Sequence, residues 1–118
     1  MLVVYLCRVR TVKLTYSLSL VAAAMLEMDL DREQGRRLWG YALTKLSGVR
    51  SGVLYPQLDR MLNEGWVEDH WETPEEVVGK RPPRRYYLLT DEGRLELGAV
   101  VARAQRDPRL STPKVRLA

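Results

Sequence analysis

SGVRSGVLYPQLDRMLNEGWV, residues 47–67, sets two glycine-marked turns around one amphipathic helix, and that arrangement decides the fold. Leu54, Leu58, Met61 and Leu62 recur at i, i+4, i+7 and i+8, the spacing of a helix with a single apolar face. Ser51 is placed to cap this helix, Gly65 to end it, and Gly48 to end the helix before it. Pro56 comes early enough to remove at most a hydrogen bond near the start. Arg50, Tyr55, Gln57, Arg60 and Asn63 fall off the apolar face, so the helix offers polar, aromatic and basic groups to its surroundings. Residues 47–52 leave room only for a tight turn between two helices.

Upstream, Leu38, Ala42, Leu43 and Leu46 recur at helical spacing and predict a short second helix. Before it, LTYSLSLVAAAML (14–26) predicts a first helix with Thr15 as N-cap, closed by Glu27 and Asp29. A charged link follows over residues 29–36. Residues 1–13 begin β-branched and apolar and then alternate with basic residues, as expected of a short strand or an arm. Downstream, WVEDHWE (66–72) and RRYYLL (84–89) read as the strands of a β-hairpin with a long loop over residues 74–83. Thr90, Asp91 and Glu92 then supply a capping hydroxyl and two carboxylates for a fourth helix that runs to about Arg106. Asp107-Pro108 stops it, and residues 107–118 are expected to form a flexible basic tail. One domain over residues 14–106, with its last helix at 90–106, accounts for the rest.

The hairpin tip explains itself chemically. GKRPPRRYY (79–87) gathers Lys80, Arg81, Arg84 and Arg85 around a proline pair that keeps the tip from extending into an open strand edge. Cations held on an irregular loop suit phosphates. Helix, helix, tight turn, helix, basic-tipped hairpin, helix is the order of a winged helix-turn-helix, an α+β fold of a three-helix core, a β-hairpin wing and a C-terminal helix. In that fold the third helix, residues 51–64, enters the DNA major groove, and the wing, residues 77–85, touches the flanking backbone or minor groove.

Gly40-Tyr41, residues 51–67 and RPPRRYYLLTDEGR (81–94) resemble the signature segments of PadR-type transcriptional regulators. The resemblance covers roughly residues 14–105. It implies a homodimeric repressor on an inverted-repeat operator in double-stranded DNA, with residues 51–56 opening the recognition helix and the last helix in the dimer interface. The arm and the charged link are longer than such proteins usually carry. Some small members of the family bind planar drugs between aromatic side chains, but the fourth helix here has none, so a small-molecule effector is left open.

The candidate DNA-binding residues are Arg50, Ser51, Gly52, Tyr55, Gln57 and Arg60 on the helix, and Lys80, Arg81, Arg84 and Arg85 on the wing. Arg and Gln match guanine and adenine edges in bidentate fashion, while Ser and Tyr hydroxyls suit phosphates. The bland alternative is a solvated helix face and a solvated loop, with Arg60 paired to Glu64 and the wing charge offset by Glu75 and Glu76. Tyr86 and Tyr87 read as hairpin packing rather than base stacking, and Trp39, Trp66 and Trp71 as core or dimer-cleft residues, with a cavity for a planar ligand as the minority reading. Leu97, Val100, Val101 and Ala104 form a stripe that a small domain has difficulty covering alone. Leu18, Val21 and Met25 offer a matching stripe, so these seven are the candidate dimerisation residues. Packing of the two helices within one chain is the alternative.

Length and composition agree with this outline. The chain has 118 residues, 29% of them charged and 46% hydrophobic, with a net charge of +4, values of a folding domain with mild attraction to polyanions. Its one cysteine, Cys7, cannot pair within the chain, which favours a reducing, cytoplasmic setting. Arg8, Arg10 and Lys13 before an apolar run that contains three successive alanines imitate a secretion signal. The run is shorter than the ~20 residues of a membrane span and reads better as an internal helix. Catalysis is not expected: the lone histidine, His70, has only Glu68 and Glu72 on its strand face, and Gly79-Lys80 lacks the remainder of a phosphate-binding loop. No metal or cofactor is implied. The rival to DNA is an acidic protein partner docked on the wing.

Overall fold

The computed structural model of the chain describes residues 13–31 and 36–111. The expected arm, most of the link's middle and the end of the expected tail lie outside the described residues. Helix α1 (Tyr16–Asp29) starts where Thr15 caps it, the Thr15 hydroxyl accepting from the Leu18 N–H at 3.1 Å. Strand β1 (Leu38–Trp39) leads directly into α2 (Gly40–Ser47), and α3 (Ser51–Glu64) follows. Strands β2 (Val67–Trp71) and β3 (Arg85–Leu89) flank a loop with one 3-10 turn (Pro74–Glu76), and α4 (Asp91–Arg106) and α5 (Pro108–Ser111) complete the described elements.

The turn between α2 and α3 is built from local bonds. Gly48 takes φ 74, a left-handed conformation that costs glycine little, and its N–H donates to the Thr44 carbonyl. The Ser47 hydroxyl donates to the Leu43 carbonyl at 2.6 Å and accepts from the Val49 N–H at 3.1 Å. Ser51 does not cap α3 as expected. Arg50 occupies the cap with its backbone extended, its carbonyl accepts from the N–H groups of Val53 and Leu54 at 2.9 Å, and Ser51 is the first helical residue. Gly65, at φ 78, ends α3.

Three strands form the sheet, in the order β1-β3-β2, all antiparallel. Val67 pairs with Leu89 and Trp71 with Arg85, which is the expected hairpin. The added strand corrects the sequence expectation that Leu38 belongs to the second helix: Leu38 pairs with Tyr87 and Trp39 with Tyr86. Leu38 is fully buried there, and two residues are too few for a period-2 pattern to register.

The core lies between α1, the inner faces of α2 and α3, the sheet and α4. Leu18, Val21 and Met25 of α1 are buried together with Leu97 and Val100 of α4 and with Leu43, Leu54, Leu58, Met61 and Trp66. Ala104 is buried and Val101 packs, half-buried, at the edge. The stripe expected to need a second subunit is therefore covered inside one chain, because α1 crosses over α4. Tyr86 and Tyr87 are buried as hairpin packing. A second correction concerns residues 108–111, expected as loose tail. They form a helical turn that starts at a proline and is held by Asp107, whose carboxylate accepts from the Arg109 N–H at 2.9 Å and from its guanidinium at 2.7 and 3.1 Å.

Two contacts lock α4 to the domain. Asp29, buried at the C-terminal end of α1, sits where the helix dipole disfavours an anion, and Arg94 compensates by donating Nε to Oδ2 at 2.8 Å and Nη2 to Oδ1 at 3.2 Å. At the start of α4 the Thr90 N–H donates to the Trp66 carbonyl at 3.0 Å, and the Thr90 hydroxyl donates to the Gly65 carbonyl at 2.7 Å while accepting from the Gly93 N–H at 3.0 Å. Gly93 permits this approach: a Cβ there would lie 1.9 Å from the Trp66 carbonyl oxygen.

Urea unfolding of the Gly93→Ala variant is expected to show a loss of about 1–3 kcal/mol, since the clash is with backbone and α4 must lift. Arg94→Met is expected to cost about 2 kcal/mol, less than the rupture of a fully buried pair because the arginine is one-third exposed. Stability equal to the parent in either variant would contradict the docking described.

Candidate nucleic-acid interface

Of the residues expected on α3, Arg50, Ser51, Gly52, Tyr55 and Arg60 are exposed. Ser51 and Gly52 form its first turn, where unpaired N–H groups and the helix dipole favour an anion. Gln57 is different. It is half-buried, and its Nε2 donates to the Ser17 hydroxyl of α1 at 3.1 Å, so this side chain braces two helices. Its angular position on α3, one step from the Leu54/Leu58/Met61 face, is the signal by which this could have been foreseen. Tyr55 lies over the start of α2, where the absence of a side chain at Gly40 makes room: a Cβ at Gly40 would be 2.1 Å from the tyrosine oxygen.

The wing is shaped by its counterions. Glu72, with its side chain only 7% exposed, accepts from Arg81 through Nη1 at 2.6 Å and Nη2 at 3.0 Å, and from the Arg84 backbone N–H at 2.9 Å. Its own N–H donates to the Arg84 carbonyl at 3.0 Å, extending the hairpin by one pair. Arg81 is thereby committed to the protein. Arg85 is held by Asp69 at 2.8 Å and lies over the Tyr87 ring at 5.1 Å. Lys80 and Arg84 are the exposed wing cations, Arg84 with its guanidinium 5.4 Å from the Tyr41 ring centroid. Glu76 does not neutralise the tip. It closes a capping box with Thr73 and pairs with Arg37 at 2.5 Å, and Arg37 in turn lies 4.2 Å from the Tyr86 ring centroid. The roles of Glu72, Asp69, Arg37 and Tyr41 were missed in the sequence because partners 9 to 49 residues apart leave no periodic trace.

Helix and wing meet in a concavity of about 260 Å³ lined by Tyr41, Tyr55, Trp71, Arg84, Arg85 and Tyr87. Arg85 Nε and the Tyr87 hydroxyl are covered by protein and have no hydrogen-bond partner among the described residues. Burial raises the Tyr87 phenol above its ordinary range, against the pull of the nearby Arg85 cation, so at neutral pH it remains a neutral O–H donor. Trp71 is 62% exposed at the rim. His70 lies apart on the strand face, stacked on Tyr86 at 5.5 Å and 3.2 Å from Glu68. Among the described residues no helix is long and apolar enough to cross a membrane.

The Glu72 carboxyl is lowered to about 2, mainly by the Arg81 hydrogen bonds, with burial opposing and the Arg84 N–H assisting. A carboxyl depressed in the folded state stabilises fully above its ordinary value of 4.5, and that contribution is lost as the pH falls toward 2. The stability difference between the parent and Glu72→Gln is therefore expected to be constant from pH 7 to about 5 and to shrink between about 4.5 and 2, measured by denaturant unfolding at each pH. A difference that persists unchanged at pH 2 would remove Glu72 as the clasp.

Comparison with curated proteins and with solved structures gives no match. Comparison with protein-family models matches residues 34–99 to the transcriptional regulator PadR-like family. The match spans α2, α3, all three strands and the first half of α4, which together are the winged-helix elements of this α+β fold and the helix that closes it. More than half of the chain is covered, and it runs through the turn, the capped helix and the clasped wing described above. The chain belongs to the PadR-like family of transcriptional regulators.

Proposed function

We propose that the protein is a homodimeric, sequence-specific repressor that binds double-stranded DNA, with α3 in the major groove and the wing at residues 77–85 on the flanking backbone or minor groove. Occupation of the operator excludes polymerase. The observation that supports this most directly is the exposure of Arg50 and Arg60 on α3 and of Lys80 and Arg84 on the wing, in a chain whose family match spans both elements. A backbone phosphate fits that chemistry. Lys80 and Arg84 contact phosphates, and Arg81 shapes the tip through Glu72. Arg50 and Arg60 are the candidates for guanine edges, and Ser51 and Gly52 for a phosphate at the helix start. Gln57 supports α3 from behind.

Dimerisation needs a surface other than the buried α1/α4 stripe. On α4 the exposed Leu95 and the partly exposed Ala99 and Ala102 recur at i, i+4 and i+7, and they support an outer seam against a second copy.

Equilibrium binding to a random DNA pool and to DNA upstream of the gene, at two salt concentrations, tests the DNA reading. Enrichment of one site with a steep salt dependence is expected. Lys80→Ala or Arg84→Ala should weaken all sequences alike and lower the salt slope by about one unit, and Arg50→Ala should cost about 1–3 kcal/mol on the preferred site. Weak binding of every sequence alike, unaffected by Arg50→Ala, would overturn sequence-specific recognition and favour an acidic protein partner. For the dimer, sedimentation should give a monomer for Leu95→Glu and a dimer for the parent; a parent that sediments as a monomer at micromolar concentration rejects the seam.

A further inference from the structure

The concavity where α3 meets the wing is a notch with walls of one kind. Aromatic rings and two arginines line it, and no carboxylate stands among the described residues that do so. Three of its rings are open to solvent, Trp71 at 62%, Tyr41 at 52% and Tyr55 at 42% exposure. Trp71, expected from the sequence in the core or a dimer cleft, sits at the end of β2, paired with Arg85 of β3. Single exposed rings are ordinary on a protein surface, but large rings gathered around one hollow mark a surface that is covered in use.

The positive charge of the notch is divided between two arginines. Arg85 is taken by Asp69 at 2.8 Å. Arg84 is exposed, forms no ion pair with a carboxylate among the described residues, and lies over the Tyr41 ring at 5.4 Å from the centroid. A guanidinium resting on a ring is held in place while its in-plane N–H groups stay free to donate. The neighbouring elements say what crosses this place: with α3 in a major groove and the wing on the flanking backbone, the strand between them runs past Tyr55, Trp71 and Arg84.

We propose that the notch seats one deoxyribose-phosphate unit of the bound strand, Arg84 donating to a phosphate oxygen and the Trp71 ring packing on the sugar. Tyr41 acts through Arg84 and is a positioning residue. This rests on the DNA reading and adds Trp71 and Tyr41 to the residues that serve it. Sugar and phosphate carry no sequence information, so Trp71 contributes affinity and not specificity.

The test is equilibrium binding of the parent and of Trp71→Ala to the preferred operator and to a random DNA pool, at two salt concentrations. Trp71→Ala is expected to bind both DNAs about tenfold more weakly, a loss of about 1.4 kcal/mol, with the salt slope of the parent because no cation is removed. Tyr41→Leu should weaken the parent and leave Arg84→Ala unchanged, as two residues acting through one contact must. Acrylamide quenching of tryptophan fluorescence needs no variant to fold: DNA should shield the parent, and most of that shielding should be missing in Trp71→Phe. A parent that binds no DNA overturns the DNA reading and this site together. A parent that binds DNA while Trp71→Ala equals it on both, or while its tryptophans stay as open to acrylamide as in the free protein, overturns the notch alone. A loss confined to the operator overturns the backbone assignment.

Discussion

The carbonyl groups of Gly65 and Trp66 are where this fold is held together. Both lie at the junction of α3 and β2, and both are taken by Thr90, which begins α4. One residue thus satisfies the chain leaving the helix-turn-helix and caps the helix that closes the domain. The absence of a side chain at Gly93 lets the two backbones approach. From this point the directions of α3, the hairpin and α4 follow together. α4 then lies against α1, and the Asp29–Arg94 pair fixes the far side of that packing.

The wing follows a different logic, since its composition alone suggests more available charge than the folded tip offers. Glu72 and Asp69 claim Arg81 and Arg85, leaving Lys80 and Arg84 as the exposed cations. An ion pair that is shielded on one side organises a loop otherwise interrupted by prolines, and it does so at the expense of charge available to a ligand. The rings that hold the cations at the wing's base, Tyr87 under Arg85 and Tyr86 under Arg37, lie on β3, the central strand of the sheet. Shape and electrostatics at the notch are therefore one construction.

Helix α3 borders two concavities, one on each side. Tyr55 lies toward the wing, and Gly52, Val53, Gln57 and Arg60 border a cavity of about 330 Å³ beside α1. Any change in how α3 rests on α1 passes through Gln57 and Ser17.

The order of elements was legible in the residues because each depends on local rules. Thr15 and Thr90 cap helices, Gly48 and Gly65 end them, and the leucines of α3 define its inner face, all through bonds and contacts within a few residues. Strand β1 was not legible, because two residues acquire strand geometry only when β3 pairs with them. Of the candidate residues, Arg50, Ser51, Gly52, Tyr55, Arg60, Lys80 and Arg84 are exposed, as their positions off the apolar face and on the wing suggested. Gln57, Arg81 and the α1/α4 stripe take partners from distant segments, Ser17, Glu72 and each other's helix, which local spacing does not reveal. The sequence by itself determined which surfaces are apolar, where helices begin and where cations cluster, since these depend on side-chain type and spacing. Tertiary structure alone decided which of those cations and faces remain available, because that depends on which opposite charges and apolar surfaces the fold has already set against them.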